Sequence, residues 1–184
     1  MNGMATGKLG LMDKPEQWPA LLKDDEALLK ELFAILAART EGSPYSSDGS
    51  FAESLSLLPV GLRAMGATHW LDLSLTLDSI TWHFGNFGEP GLVAQTEEGL
   101  LELGLQGLHA VFRESRDLMI PLLEGRAEAD GDPYEILERA GLREYGKEMD
   151  RKAWALDDLK SQNSAIYSAW IQYAREYPER VFVG

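Results

Sequence analysis

The sequence predicts an all-α fold, a single-domain irregular helical bundle of about six to seven helices. Three observations predict it. Apolar residues recur at three- and four-residue steps along most of the 184 residues, the spacing that lines one face of a helix. Loop-type residues and glycines punctuate these stretches, where helices start and stop. Hydrophobic residues make up 45% of the chain, with five Trp, six Tyr and six Phe, enough for a continuous core. Residues 1–15 lack an apolar signal-peptide core and are set aside as a flexible N-terminal tail. Residues 16–184 form the helical domain.

The first helix is expected over 24–39. Leu28, Leu29, Leu32, Phe33, Ile35 and Leu36 form its apolar stripe, and Asp24, Asp25 and Glu26 favour its positive end. The stretch TEGSPYSSDG (40–49) is loop by composition. Ser50 and Glu53 have capping-box spacing and start a second helix over 51–65, bent near Pro59. Between Trp70 and Phe84 the leucines at 71, 73, 75 and 77 alternate as in a strand. Trp70, Leu73, Leu77, Ile80 and Phe84 form a helical seam instead. Fifteen residues is long for a strand, so helix is chosen.

The stretch GNFGEPG (85–91) reads as a turn. Helices follow over 93–103, closed by Gly104, and over 106–119, ended or kinked by Pro121. An acidic loop covers 124–132. Asp132 caps a short helix with Pro133 at its first position, closing at Gly141. The last helical stretch spans 149–177, with a break near Ser161–Ser164, and Pro178 stops it.

Composition narrows the chemistry. The chain has no cysteine, which removes disulfides, thiolate metal sites and cysteine nucleophiles. No apolar run approaches the roughly 18 residues of a membrane helix. The formal charge is −13, which repels phosphate backbones and anionic lipid and favours a basic protein partner. From Glu89 to Glu135 eleven acids face three bases, a formal −8, and no lysine falls between Lys30 and Lys147. A cytoplasmic protein is expected, binding neither nucleic acid nor membrane directly.

Catalytic signals are weak. His69, His83 and His109 lie too far apart in sequence for a helix-borne zinc pair. Gly85, Gly88 and Gly91 match neither a dinucleotide fingerprint nor a P-loop. Glu98 and Glu102, one helical turn apart, read as a solvated face before an acid/base pair. Trp70, Trp82, Phe84 and Phe87 read as core before pocket. No cofactor, metal site or catalytic residue is assigned. The enzymatic alternative would use His83 as a base with Glu89.

A resemblance adds to this. Leu58–Met65 (LPVGLRAM) is similar to a "Leu–Pro–x–Gly–x–Arg" helix of a bacterial family of domains of unknown function. Ser79–Gly88 (SITWHFGNFG) resembles its "Asn–Gly–Gly–Phe–x–Gln–Phe" motif, with His83 and Phe84 in the Gly–Phe region. Thr96–Leu105 (TEEGLLELGL) resembles its "Ala–Leu–x–x–Ile–Gly" helix. The close YAREYPERVF resembles "Tyr–x–x–x–His–Pro–x–x–Phe", with Tyr177 in the histidine's place. The likeness spans about residues 55–182, and the family includes a DNA-mimic protein. It implies an all-helical, non-enzymatic protein whose carboxylates imitate a phosphate backbone.

The resulting expectation is an acidic helical protein-binding protein, a nucleic-acid mimic on the resemblance, that occupies a basic surface on a DNA-binding protein or a toxin. Glu97, Glu98, Glu102, Glu124, Glu128, Asp130, Asp132 and Glu135 are the expected contact residues. An immunity- or antitoxin-like inhibitor of a basic toxin is the alternative within the same chemistry.

Overall fold

The computed structural model of the chain describes residues 15–124, 132–157 and 163–182. All of the expected N-terminal tail except Pro15 lies outside them. The described residues form ten α-helices and no strand. They are α1 (Trp18–Leu21), α2 (Asp25–Arg39), α3 (Ser50–Ser56), α4 (Val60–Leu77) and α5 (Ile80–Asn86), followed by α6 (Pro90–Glu102), α7 (Gln106–Leu123), α8 (Pro133–Arg139), α9 (Arg143–Asp157) and α10 (Ala165–Glu176). The fold is all-α as the periodicity predicts, with more helices than expected.

Local chemistry accounts for the excess. Pro59 has no N–H and ends the 51–65 stretch, separating α3 from α4. The expected capping box does not form: Asp48 takes both the Ser50 N–H (2.9 Å) and its hydroxyl (2.7 Å), and Gly49 at φ 76° holds the cap position. The 70–84 stretch breaks at Asp78 and Ser79. There Ser79 Oγ accepts from Trp82 N at 3.1 Å and starts α5. Trp154 Nε1 donates to the Leu75 and Asp78 carbonyls (3.2 and 3.0 Å), which α4 leaves open at its C-terminus. Ser164 caps α10, dividing the last stretch from α9, and α1 was not expected at all.

The break also moves the core face. Leu77 is 66% exposed, whereas Leu71 and Leu75 are buried, so the expected seam through Leu73 and Leu77 is displaced. The helix does not end at 65, and Gly66 lies within α4. A Cβ there would come within 2.6 Å of Leu55 Cδ2, so the bare glycine admits α3.

Helix α4 is the axis of the bundle. Helices α2, α3, α5, α6, α9 and α10 all pack on it, and Gly61 to Leu75 are buried on most sides. Its buried Thr68 donates to the Ala64 carbonyl (2.8 Å) and accepts from Trp170 Nε1 of α10 (3.0 Å). Helix α4 also comes backbone to backbone with α6. A Cβ on Gly99 would lie 3.0 Å from the Ala64 carbonyl oxygen and 3.1 Å from Ala64 Cα. Backbone atoms cannot step aside as a side chain can. Gly99→Val is therefore expected to cost about 1–3 kcal/mol of unfolding free energy in urea titrations, despite valine's better helix propensity. An unchanged midpoint would show that this crossing yields.

Candidate partner-binding surface

Three of the eight expected contact residues, Glu97, Glu98 and Glu102, lie on α6 of the hairpin α6–α7, and Glu124 lies just past α7. Glu89 opens α6 by accepting from Gly91 N (2.9 Å) and Leu92 N (2.7 Å), one bond to each carboxylate oxygen. Gly104 at φ 75° closes it, with Leu105 N donating to the Leu100 carbonyl at 2.8 Å. Helix α7 then returns beside α6. Glu97 pairs with Arg116, and Arg113 Nε stands 3.5 Å away. His109 Nε2 also lies 3.5 Å from Glu97, without forming a hydrogen bond.

The other expected residues scatter. Glu98 is exposed on α6, beside a small cleft that Arg63 and Val60 of α4 also line. Glu102 accepts from Arg180 Nη1 at 2.8 Å and from the Tyr173 hydroxyl. Glu124 is exposed just past α7. Asp132 caps α8 by accepting from Tyr134 N at 2.8 Å, and Glu135 is exposed on that helix. Glu128 and Asp130 lie outside the described residues. The structure thus gathers Glu97, Glu98 and Glu102 on one helix and places Glu124, Asp132 and Glu135 elsewhere. Within the described residues Glu98, Glu124 and Glu135 face solvent without an ion-pair partner, while Glu97 and Glu102 are offset by arginines.

His83 and Glu89 are not assembled as a pair. His83 is fully buried, its Nδ1 2.9 Å from Ser74 Oγ and its ring packed on Phe84, Phe87 and Phe112. Glu89 commits its carboxylate to the start of α6. Phe84 and Phe87 are core, with Trp70 and Trp82 half-buried against it. In the glycine stretch, Gly85 and Asn86 extend α5 rather than turn. A Cβ on Gly85 would meet Pro133 Cγ at 2.3 Å, so this glycine lets α8 dock. Among the described residues no cluster of three or more His, Asp or Glu could hold a metal ion. No helix among them is long and apolar enough to cross a membrane.

Sequence reasoning missed two features. One is a buried polar group on α4: Asp72, 3% exposed, accepts from the Ser164 hydroxyl, and burial raises its pKa. On α9, Asp150 accepts from Thr81 N (3.0 Å) at the start of α5, and burial raises its pKa too. Their only sequence signal is an acid inside an apolar period. The second feature is a groove of about 620 Å³ between α6 and α7. Pro90, Val93, Ala94, Ile120 and Pro121 floor it, and Glu97, Asp117 and Glu124 stand at its rim. Helix α7 runs through Pro121 to Leu123 rather than ending there.

The fold and surface define an all-helical acidic protein with a grooved helical hairpin and no assembled acid/base pair at His83. A scan against models of known families finds no match. Searches of curated proteins and of solved structures find none either.

Proposed function

We propose that this chain is a non-enzymatic, cytoplasmic binding protein that docks on a basic surface of another protein. One observation carries the reading. Among the described residues, Glu98, Glu124 and Glu135 stand in solvent without an ion-pair partner, on a chain whose formal charge is −13. Glu97 and Glu102 share α6 with Glu98 but supply less free charge, because Arg116 and Arg180 already hold them. A basic surface that normally grips phosphates is a natural target, since unpaired carboxylates replace phosphates as its counter-charge. The resemblance to the family with a DNA-mimic member points the same way.

Affinity of this kind is salt-dependent. Partners captured on the immobilised chain and identified should leave as sodium chloride rises from about 50 to about 300 mM, because the Debye length falls roughly two- to threefold over that range. The same identified partners should not bind E98K/E124K/E135K at the lower salt. Capture that withstands the higher salt and all three charge reversals would sink the reading.

A further inference from the structure

We propose that the groove between α6 and α7 seats one face of a basic amphipathic helix presented by the partner. This rests on the acidic-docking reading and assigns it a place. The groove runs along α6 from Pro90 to Glu97 and along α7 from Arg116 to Glu124. At ~1.5 Å per residue these walls are about 10–12 Å long, room for roughly two turns of a third helix.

The lining sets what that helix must carry. Pro90, Ala94 and Pro121 are exposed and Ile120 is half-buried, so apolar surface faces solvent along the floor. Ala94 has no side chain beyond Cβ and leaves the middle open. Such a floor accepts apolar anchors spaced three and four residues apart. The rim is negative: three carboxylates (Glu97, Asp117, Glu124) stand against Arg116 and against Arg113, which reaches Glu97 from outside the groove at 3.5 Å, so the uncompensated charge lies towards Glu124. Arg116 is already committed, to Glu97 and to Asp117 at 2.7 Å. Pro121 adds a backbone acceptor. It has no N–H, so the Asp117 carbonyl, one turn earlier, loses its usual helical donor. An occupant with lysine or arginine beside its apolar stripe supplies both the counter-charge and the donors. A neutral helix supplies no counter-charge, and an acidic one is repelled.

The probe is a synthetic helical peptide of about four turns, with leucine at i, i+3, i+4 and i+7 and lysine on both flanks. A counterpart carries glutamate for lysine. In calorimetric titration against the full chain, the lysine peptide is expected to bind and the glutamate peptide not. Ala94→Gln fills the groove from an exposed position without adding charge. It should weaken the lysine peptide about tenfold or more while leaving the thermal melt unchanged. D117N/E124Q should weaken it at low salt and flatten its salt dependence. E98K/E135K, away from the groove, should leave it as in the wild type. Undiminished binding to Ala94→Gln overturns the groove. If E98K/E135K then abolishes binding, acidic docking survives at another place. Equal binding of the two peptides, or binding of neither, also overturns the groove, while the salt elution of identified partners still reports on the wider reading.

Discussion

Replacing Trp170 with alanine is expected to lower the unfolding free energy by about 3–5 kcal/mol, the range for deleting a large aromatic from a packed core. Trp170 is completely buried on α10 and joins three helices. Its ring packs on Phe33 of α2, at a centroid distance of 5.5 Å, and on Tyr167 of its own helix at 5.0 Å. Its indole N–H reaches Thr68 of α4 at 3.0 Å. Alanine leaves a cavity at that junction and takes the donor from Thr68 Oγ1. Trp170→Phe separates the two losses. It keeps most of the ring, so its cost should be about 1–2 kcal/mol, mainly the hydrogen bond and a smaller cavity. Urea titrations followed by circular dichroism measure both. For a chain of this size, about 3–5 kcal/mol corresponds to a fall in Tm of roughly 6–20 °C. A Trp170→Ala chain within about 1 kcal/mol of the wild type would mean that α10 does not dock as described.

What the sequence discloses here is what lies within one helical turn. Asp24 caps α2, Asp132 with Pro133 opens α8, and Gly104 and Gly141 close helices at φ 75° and 71°. Each is a contact between near neighbours, so residue type and spacing suffice. The breaks at Pro59 and Ser79 were harder. An apolar period read across either site looks continuous, although its phase changes where the helix stops. Gly66 and Gly99 look like helix breakers in isolation, and are instead the points where α3 and α4 crowd the backbone.

The candidate binding surface was the least legible part, because charge compensation is a property of distant pairs. Glu102 meets Arg180 and Tyr173, both more than 70 residues away. Glu97 meets Arg113 and Arg116 across the hairpin. A count of −8 over Glu89–Glu135 cannot say which carboxylates are spent inside the protein and which remain for a partner. The groove escaped for the same reason: Pro90 and Ala94 lie one turn apart on α6, but they become a surface with Ile120 and Pro121 only when α7 folds back on α6.

Acidification from pH 7 to pH 5 is expected to remove about 2 kcal/mol of stability through His83 alone. Ser74 Oγ donates to the Trp70 carbonyl at 2.7 Å, so it accepts from His83, which places the imidazole proton on Nδ1. Nε2 is then a bare lone pair, buried without a partner among phenylalanine rings. Desolvation of the charged form drives the pKa from 6.5 to about 3. The sign follows. Between these values the unfolded chain binds a proton that the folded chain refuses, so stability falls by about 1.4 kcal/mol per pH unit as pH drops through that window. Burial lowers the pKa of His69 in the same sense. Asp72 and Asp150 act oppositely: their raised pKa values let the folded state take up protons first, adding stability as pH falls toward 3.8. His83→Asn isolates the first effect, because its amide can donate to Ser74 and does not titrate. The gap in unfolding free energy between wild type and His83→Asn should shift by about 2 kcal/mol between pH 7 and pH 5, in favour of the variant. Should the variant fold poorly, nitrogen-15 spectra of the wild-type imidazoles decide the matter. His83 should hold its neutral Nδ1–H form throughout that range, and a midpoint near 6.5 would remove both the tautomer and the linkage built on it.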